Sequence, residues 1–195
     1  MTPRPRKVSD AQVLEAAQRV MGRVGPGALS LAEIAAEAGV TSGALVQRFG
    51  SKRALLLAVV SEWAAGSRSM LEAFRGTRES PLERVLYWGE CMGSMGETPG
   101  ALAHHLSYLQ MDLTDPEFRE HMRRNAEVTR ASFREWLDEA VAEGELGEGT
   151  DTAALARLVE AGIGGSLLSW AVWQEGSAAA WVREDLEALL APHRS

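Results

Sequence analysis

Residues 31–53 read LAEIAAEAGVTSGALVQRFGSKR, and this stretch decides the fold. Ser30 stands just before it and Glu33 three positions further on, the spacing of a capping box at a helix start. Leu31, Ile34, Ala35 and Ala38 recur at helical spacing and share one apolar face. Gly39 then ends the helix, where a residue without Cβ takes positive φ at no steric cost. Thr41 is placed to cap a second short helix, whose Leu45 and Phe49 turn back toward the first, while Ala35 permits a close crossing. Two short helices joined by a tight turn are a helix-turn-helix, whose second helix is shaped for the DNA major groove.

Side chains on that second helix divide by direction. With Leu45 and Phe49 inward, Thr41, Ser42, Gly43, Ala44, Gln47 and Arg48 are the candidate DNA-binding residues. The helix N-terminus favours a phosphate. Gln47 can pair bidentately with adenine, Arg48 can meet guanine or a phosphate, and Ala44 can touch a thymine methyl. The plainer reading is a solvated face on a small bundle.

The segment Val13–Leu56 resembles the DNA-binding domain of the tetracycline-repressor (TetR) family of one-component transcriptional regulators. The first helix, VLEAAQRVMGRVG, is similar to the family's opening helix. LSLAEIAAEAGVTSGALVQRFGSK follows its pattern of helix, Ala-Gly-Val turn, recognition helix ending in Phe, and Gly-Ser-Lys entry to a fourth helix. On this resemblance Lys52 matches the family's phosphate-contacting lysine. It implies an all-α fold of about nine helices. Residues 1–53 would form a three-helix DNA-binding domain, and residues 54–195 a helical domain for effector binding and dimerisation. The implied function is a ligand-responsive repressor, homodimeric and cytoplasmic, released from a palindromic operator by a small molecule.

Charge is distributed to suit that reading. The net charge of −7 over 195 residues conceals eight cations against four anions in residues 1–53, and twelve against twenty-three in the remainder. A basic head on an acidic body draws DNA to one end, because phosphate attraction supplies much of the affinity. The arm carrying Arg4, Arg6 and Lys7 admits two readings: phosphate or minor-groove contact, or a basic terminus without a fixed place. Cys91 is the only cysteine, which rules out an intrachain disulfide. MTPRPRK lacks the apolar run of a signal peptide, and the uncharged apolar segment Ala161–Trp173 is short for a bilayer span.

Beyond the head, Gly, Pro and polar turns divide the chain into helices: about 51–74, 81–96, 99–113, 116–143, 152–174, and a last one carrying Trp181, Leu186 and Leu189. Nothing alternates with period two, so no sheet is expected. Along the last two helices Leu158, Gly162, Ile163, Ser166, Trp170, Leu186 and Leu189 form a small-and-apolar stripe suited to a dimer interface. Packing inside one subunit is the competing use. Trp63, Trp88, Met92, His104, Tyr108 and Met111 are candidate effector-binding residues for an apolar or aromatic molecule, although a Met or Trp stripe also serves as ordinary core.

Enzyme readings find little support. Phosphate-loop, dinucleotide and zinc-protease motifs are missing, and GIGGS at 162–166 falls inside a helical pattern rather than after a strand. His104, His105, His121 and His193 lack ligand spacing, so neither metal nor cofactor is expected. The alternative to a DNA-binding regulator is a helical protein-interaction module that has lost DNA binding.

Overall fold

Capping groups set the helix starts. Helix α1 (Asp10–Arg23) begins at Ser9, whose Oγ accepts from Gln12 N at 3.2 Å while Gln12 Oε1 accepts from Ser9 N at 2.9 Å. In α2 (Leu31–Ala38) the Ser30–Glu33 box is formed at 3.2 and 2.8 Å. Gly39 closes that helix at φ 69°, in the left-handed region. Thr41 Oγ1 accepts from Ala44 N at 3.1 Å and starts α3 (Ser42–Phe49).

The remaining helices are α4 (Lys52–Arg75), α5 (Pro81–Met95), α6 (Pro99–Thr114), α7 (Pro116–Ala142), α8 (Thr152–Trp173) and α9 (Ala178–Leu190), followed by a 3₁₀ turn at Ala191–His193. Three of these open on proline, where the missing N–H costs nothing. The residue before each proline supplies a cap: Ser80 to Glu83 N at 3.1 Å, Thr98 to Ala101 N at 3.1 Å, and Asp115 to Glu117 N at 2.9 Å. Asp151 and Ser177 cap α8 and α9.

This computed structural model describes residues 8–76, 78–95 and 98–195, without the side chains of 63–65, 67, 68, 95 and 112. The basic arm and the side chain of Trp63 therefore lie outside the described residues. Among the described residues no strand occurs, and an isolated bridge joins Leu146 to Arg194.

The chain divides into two compact units, and α4, α6 and α7 each contribute residues to both. The first comprises residues 1–65 and 103–122. Its core joins Val13, Ala17 and Val20 of α1, Ile34 and Ala35 of α2, Leu45 of α3 and Leu55, Leu56 and Val59 of α4. Tyr108 and Phe118, far along the chain, complete it. The helix-turn-helix is thus finished by a segment that follows it by about a third of the chain's length.

The second unit comprises residues 66–102 and 123–195. Here α5 and α9 cross so closely that a Cβ added at Gly93 would lie 2.6 Å from Ala179 Cα, and one at Gly89 would lie 2.5 Å from a Leu186 methyl. Only glycine admits that approach. Arg183 of α9 locks the crossing, reaching Glu83 at 2.9 Å, Glu90 at 2.8 Å and Glu187 at 2.8 Å. The hydrogen bonds it donates, to Glu83 first and then Glu90, push its pKa upward, so it stays charged. An aromatic series fills the core, from Phe74 against Trp88 (4.9 Å, edge-on) through Phe133 to Trp136.

Candidate nucleic-acid interface

The recognition face follows from how α3 is anchored. Leu45 is fully buried against the first-unit core, and Phe49 packs against the same cluster. That fixes the rotation of α3. Thr41, Gly43, Val46 and Gln47 are then exposed, with Ser42, Ala44 and Arg48 half-buried at the margin. Val46, with 47% of its surface open, was not among the residues picked out by sequence. The signal was available, since 43, 46, 47 and 50 fall on one side of a 3.6-residue helix whose other side is 42, 45 and 49. An exposed valine there can meet a thymine methyl.

Two cations of this face have intramolecular partners that spacing could not reveal. Arg48 donates from Nε to Asp10 Oδ1 at 2.7 Å and from Nη2 to the same oxygen, while its guanidinium lies 5.8 Å from the Phe49 ring centre. Lys52 donates from Nζ to Pro26 O at 3.0 Å and also to Leu29 O. It ties the α1–α2 loop to the start of α4. An ammonium has three N–H groups, so one remains for a phosphate.

Other head cations are also paired. Arg19 and Arg23 of α1 clamp Glu37 of α2 at 2.8 Å each. Those hydrogen bonds, Arg19's first, hold the Glu37 carboxyl below its usual range. Arg53 binds Asp115 and Glu117. Every Lys and Arg between residues 8 and 53 is thereby engaged within the chain, although Lys52 meets only neutral carbonyls and Arg19 and Arg23 share one carboxylate, so positive charge is left over on the head.

This arrangement matches a known family. The model for bacterial regulatory proteins of the tetR family matches residues 13–59, which run from α1 into α4. Over this head the chain is similar to the tetR family. A curated relative, the HTH-type transcriptional regulator YezE of Bacillus subtilis (itself uncharacterised), is 28% identical over 161 residues, covering 79% of this chain and 81% of its own. A TetR transcription regulator from Haloarcula marismortui superposes with a TM-score of 0.78 at 16% identity, covering 95% and 98% of the two chains. FadR of Bacillus subtilis, solved in complex with stearoyl-CoA, gives 0.71 at 20% identity over 94% and 98%. The matched head and this relative support a DNA-binding transcriptional regulator, and the family matched is one of regulators.

The candidate effector-binding residues are divided between the units. Trp88 and Met92 pack in the core of the second. His104, Tyr108 and Met111 belong to the first, where Tyr108 is buried and its hydroxyl donates to Val24 O at 3.0 Å. Burial, with a smaller contribution from the Glu33 charge, pushes the Tyr108 pKa up to about 12, so it remains a neutral donor. His104 differs: its Nδ1 is buried without a hydrogen-bond partner.

The stripe assigned to dimerisation divides in the same manner. Ile163, Ser166, Trp170 and Leu186 are buried inside the subunit, and Leu189 packs against that core. Leu158 is exposed on the opposite side of α8, in register with Ala161, Gly165, Leu168 and Val172. That three-and-four spacing is the seam pattern of packed helices. Gly162 lies at the margin, beside Leu186 and Leu189. By length and mean hydropathy (1.2) α8 could be compared with a membrane span. Two apolar faces, one in the core and one outside, account for that hydropathy.

Proposed function

We propose that this regulator is a cytoplasmic homodimeric repressor which reads a palindromic operator through α3 and is released by a small apolar or aromatic effector. The carrying observation is the fixed rotation of α3: Leu45 locked inward leaves Val46 and Gln47 outward beyond a capped helix N-terminus. On this reading Gln47 and Val46 contact base edges. Thr41, Ser42, Gly43 and Ala44 lie against the backbone or close to the groove floor, and Arg4, Arg6 and Lys7 add phosphate attraction. Two heads then meet half-sites about one helical turn apart, roughly 34–36 Å.

Dimerisation places the exposed seam of α8, Leu158, Ala161, Gly165, Leu168 and Val172, against a second copy, with Gly162 and Leu189 at its edge. Gly165 has open space around its Cα in the single chain, which suits close helix approach. For the effector, the unpartnered His104 Nδ1 offers a polar handle, and the structural neighbour FadR, solved with stearoyl-CoA, supports a ligand with an apolar part. Release requires that the effector bind the two body conformations with different affinity, since only that difference reaches the DNA.

Selection from a random duplex pool tests the reading. Enrichment of an inverted repeat that also occurs beside the gene supports it. Enrichment of no sequence, with affinity that vanishes into salt, contradicts it.

A further inference from the structure

Asp10 has no evident structural reason to bind Arg48. It is the first residue of α1, its side chain 69% exposed, and an exposed ion pair adds little to folding stability. Ser9 and Gln12 already cap that helix. Yet 38 positions separate the partners, and the pair sits at the rim of the recognition helix with the Arg48 side chain only 23% exposed.

The geometry of the contact is specific. Both donors, Nε and Nη2, fall on a single oxygen, Oδ1. A guanidinium has five N–H groups in a fixed plane. With the Nε/Nη2 edge taken, the Nη1/Nη2 edge remains, and its two parallel N–H groups match the O6 and N7 acceptors of guanine. Oδ2 of Asp10 stays available as an acceptor and can take a hydrogen bond from the amino group of a neighbouring cytosine or adenine. A carboxylate beside the arginine also repels phosphate, which discourages Arg48 from lying along the backbone.

We propose that Asp10 is the positioning residue for Arg48: it aims the free Nη1/Nη2 edge at a guanine and converts a general phosphate contact into a base-specific one. This rests on α3 being the DNA-reading helix. It adds α1 to the elements that set operator sequence, through a residue that itself touches the arginine rather than the guanine.

The test uses the full chain and four proteins: wild type, Asp10→Asn, Asp10→Glu and Arg48→Ala. Each is titrated against the selected operator, a copy with each guanine of the half-site replaced in turn, and a scrambled duplex, at several salt concentrations. Asp10→Asn should lose about tenfold in discrimination per half-site at one guanine, the same one at which Arg48→Ala loses its preference. It should bind scrambled DNA more tightly, with a salt slope steeper by about one per subunit. Asp10→Glu should recover part of the preference, and all four should melt together, which a merely structural pair would not require.

The proposal is overturned if Asp10→Asn changes affinity equally on every duplex, or keeps the wild-type preference at every position. If wild type itself does not distinguish operator from scrambled DNA, the assignment of α3 fails and this proposal with it. A wild type that discriminates beside an indifferent Asp10→Asn removes only the role of Asp10.

Discussion

Arg53, in the first turn of α4, grips the Asp115 carboxylate 62 positions later, from Nε at 3.0 Å and Nη2 at 2.7 and 2.9 Å. The same carboxylate opens α7 by accepting from Glu117 N at 2.9 Å, and the guanidinium lies 5.6 Å from the ring centre of buried Phe118. The start of the helix that follows the recognition helix and the start of α7 are therefore one ionic joint. Residues 103–122 are part of the DNA-binding unit in the physical sense, since Tyr108 and Phe118 fill its core.

That joint is titratable, and the sign is fixed by its geometry. The hydrogen bond from Arg53 holds the Asp115 carboxyl below its usual range. A depressed carboxylate contributes its stabilisation in full above the ordinary value near pH 4, and loses it as pH falls through the lower folded value. Asp115→Asn should therefore melt lower than wild type at pH 7, and the gap should close as pH is reduced from about 5 to 2. Parallel melting curves across that range would show that the joint does not stabilise the fold.

The α5–α9 crossing predicts a second outcome. Alanine at Gly93 would place Cβ 2.6 Å from Ala179 Cα and 2.7 Å from its N, and backbone cannot yield as a side-chain end can. Gly93→Ala should cost about 1–3 kcal/mol despite alanine's better helix propensity. Gly164→Ala, in open space on α8, should be neutral or stabilising by up to about 1 kcal/mol. Urea unfolding of the two variants checks both, and equal stability would contradict the close approach.

Dimerisation through the outer face of α8 predicts that Leu168→Glu, at a residue 48% exposed in the single chain, leaves the subunit folded but monomeric in sedimentation. Ser166→Arg, at a buried position, should instead unfold the second unit. A Leu168→Glu dimer as tight as wild type would move the interface elsewhere.

Much of this was legible in the sequence, and the reasons differ by element. Ser30, Glu33, Gly39 and Thr41 act within three residues of themselves, so local chemistry announced the helix-turn-helix. The proline-opened helices and their ends were legible for the same reason. Long-range partners were not. Nothing local shows that Lys52 reaches Pro26 and Leu29, that Asp10 meets Arg48, or that Tyr108 completes the head. On α8, apolar residues surround the helix, so periodicity could not tell the core face of Ile163 and Trp170 from the outer face of Leu158 and Leu168. Gly89 and Gly93 passed as unremarkable because the close approach they permit belongs to α9, ninety residues on.

Lys52 provides a fourth prediction because its ammonium is shared. Removing it leaves two backbone carbonyls without their charged donor, a loss of about 1.5–3 kcal/mol each at most. Lys52→Ala should lower the melting temperature of the head and reduce the salt slope of DNA binding by less than one per subunit. A full unit lost from the slope with stability unchanged would make Lys52 a phosphate contact alone.

The central claim is that α3 reads bases through its outward face, and Gln47→Ala tests it most directly. The residue is exposed and takes part in no core packing, so the variant folds as wild type does. Titrated against the selected operator and a scrambled duplex at several salt concentrations, Gln47→Ala should lose about 1–3 kcal/mol per half-site on the operator and nothing on the scrambled DNA. The salt slope should be unchanged on both. Equal loss on the two duplexes, or no loss on either, would contradict the assignment of this face to base reading.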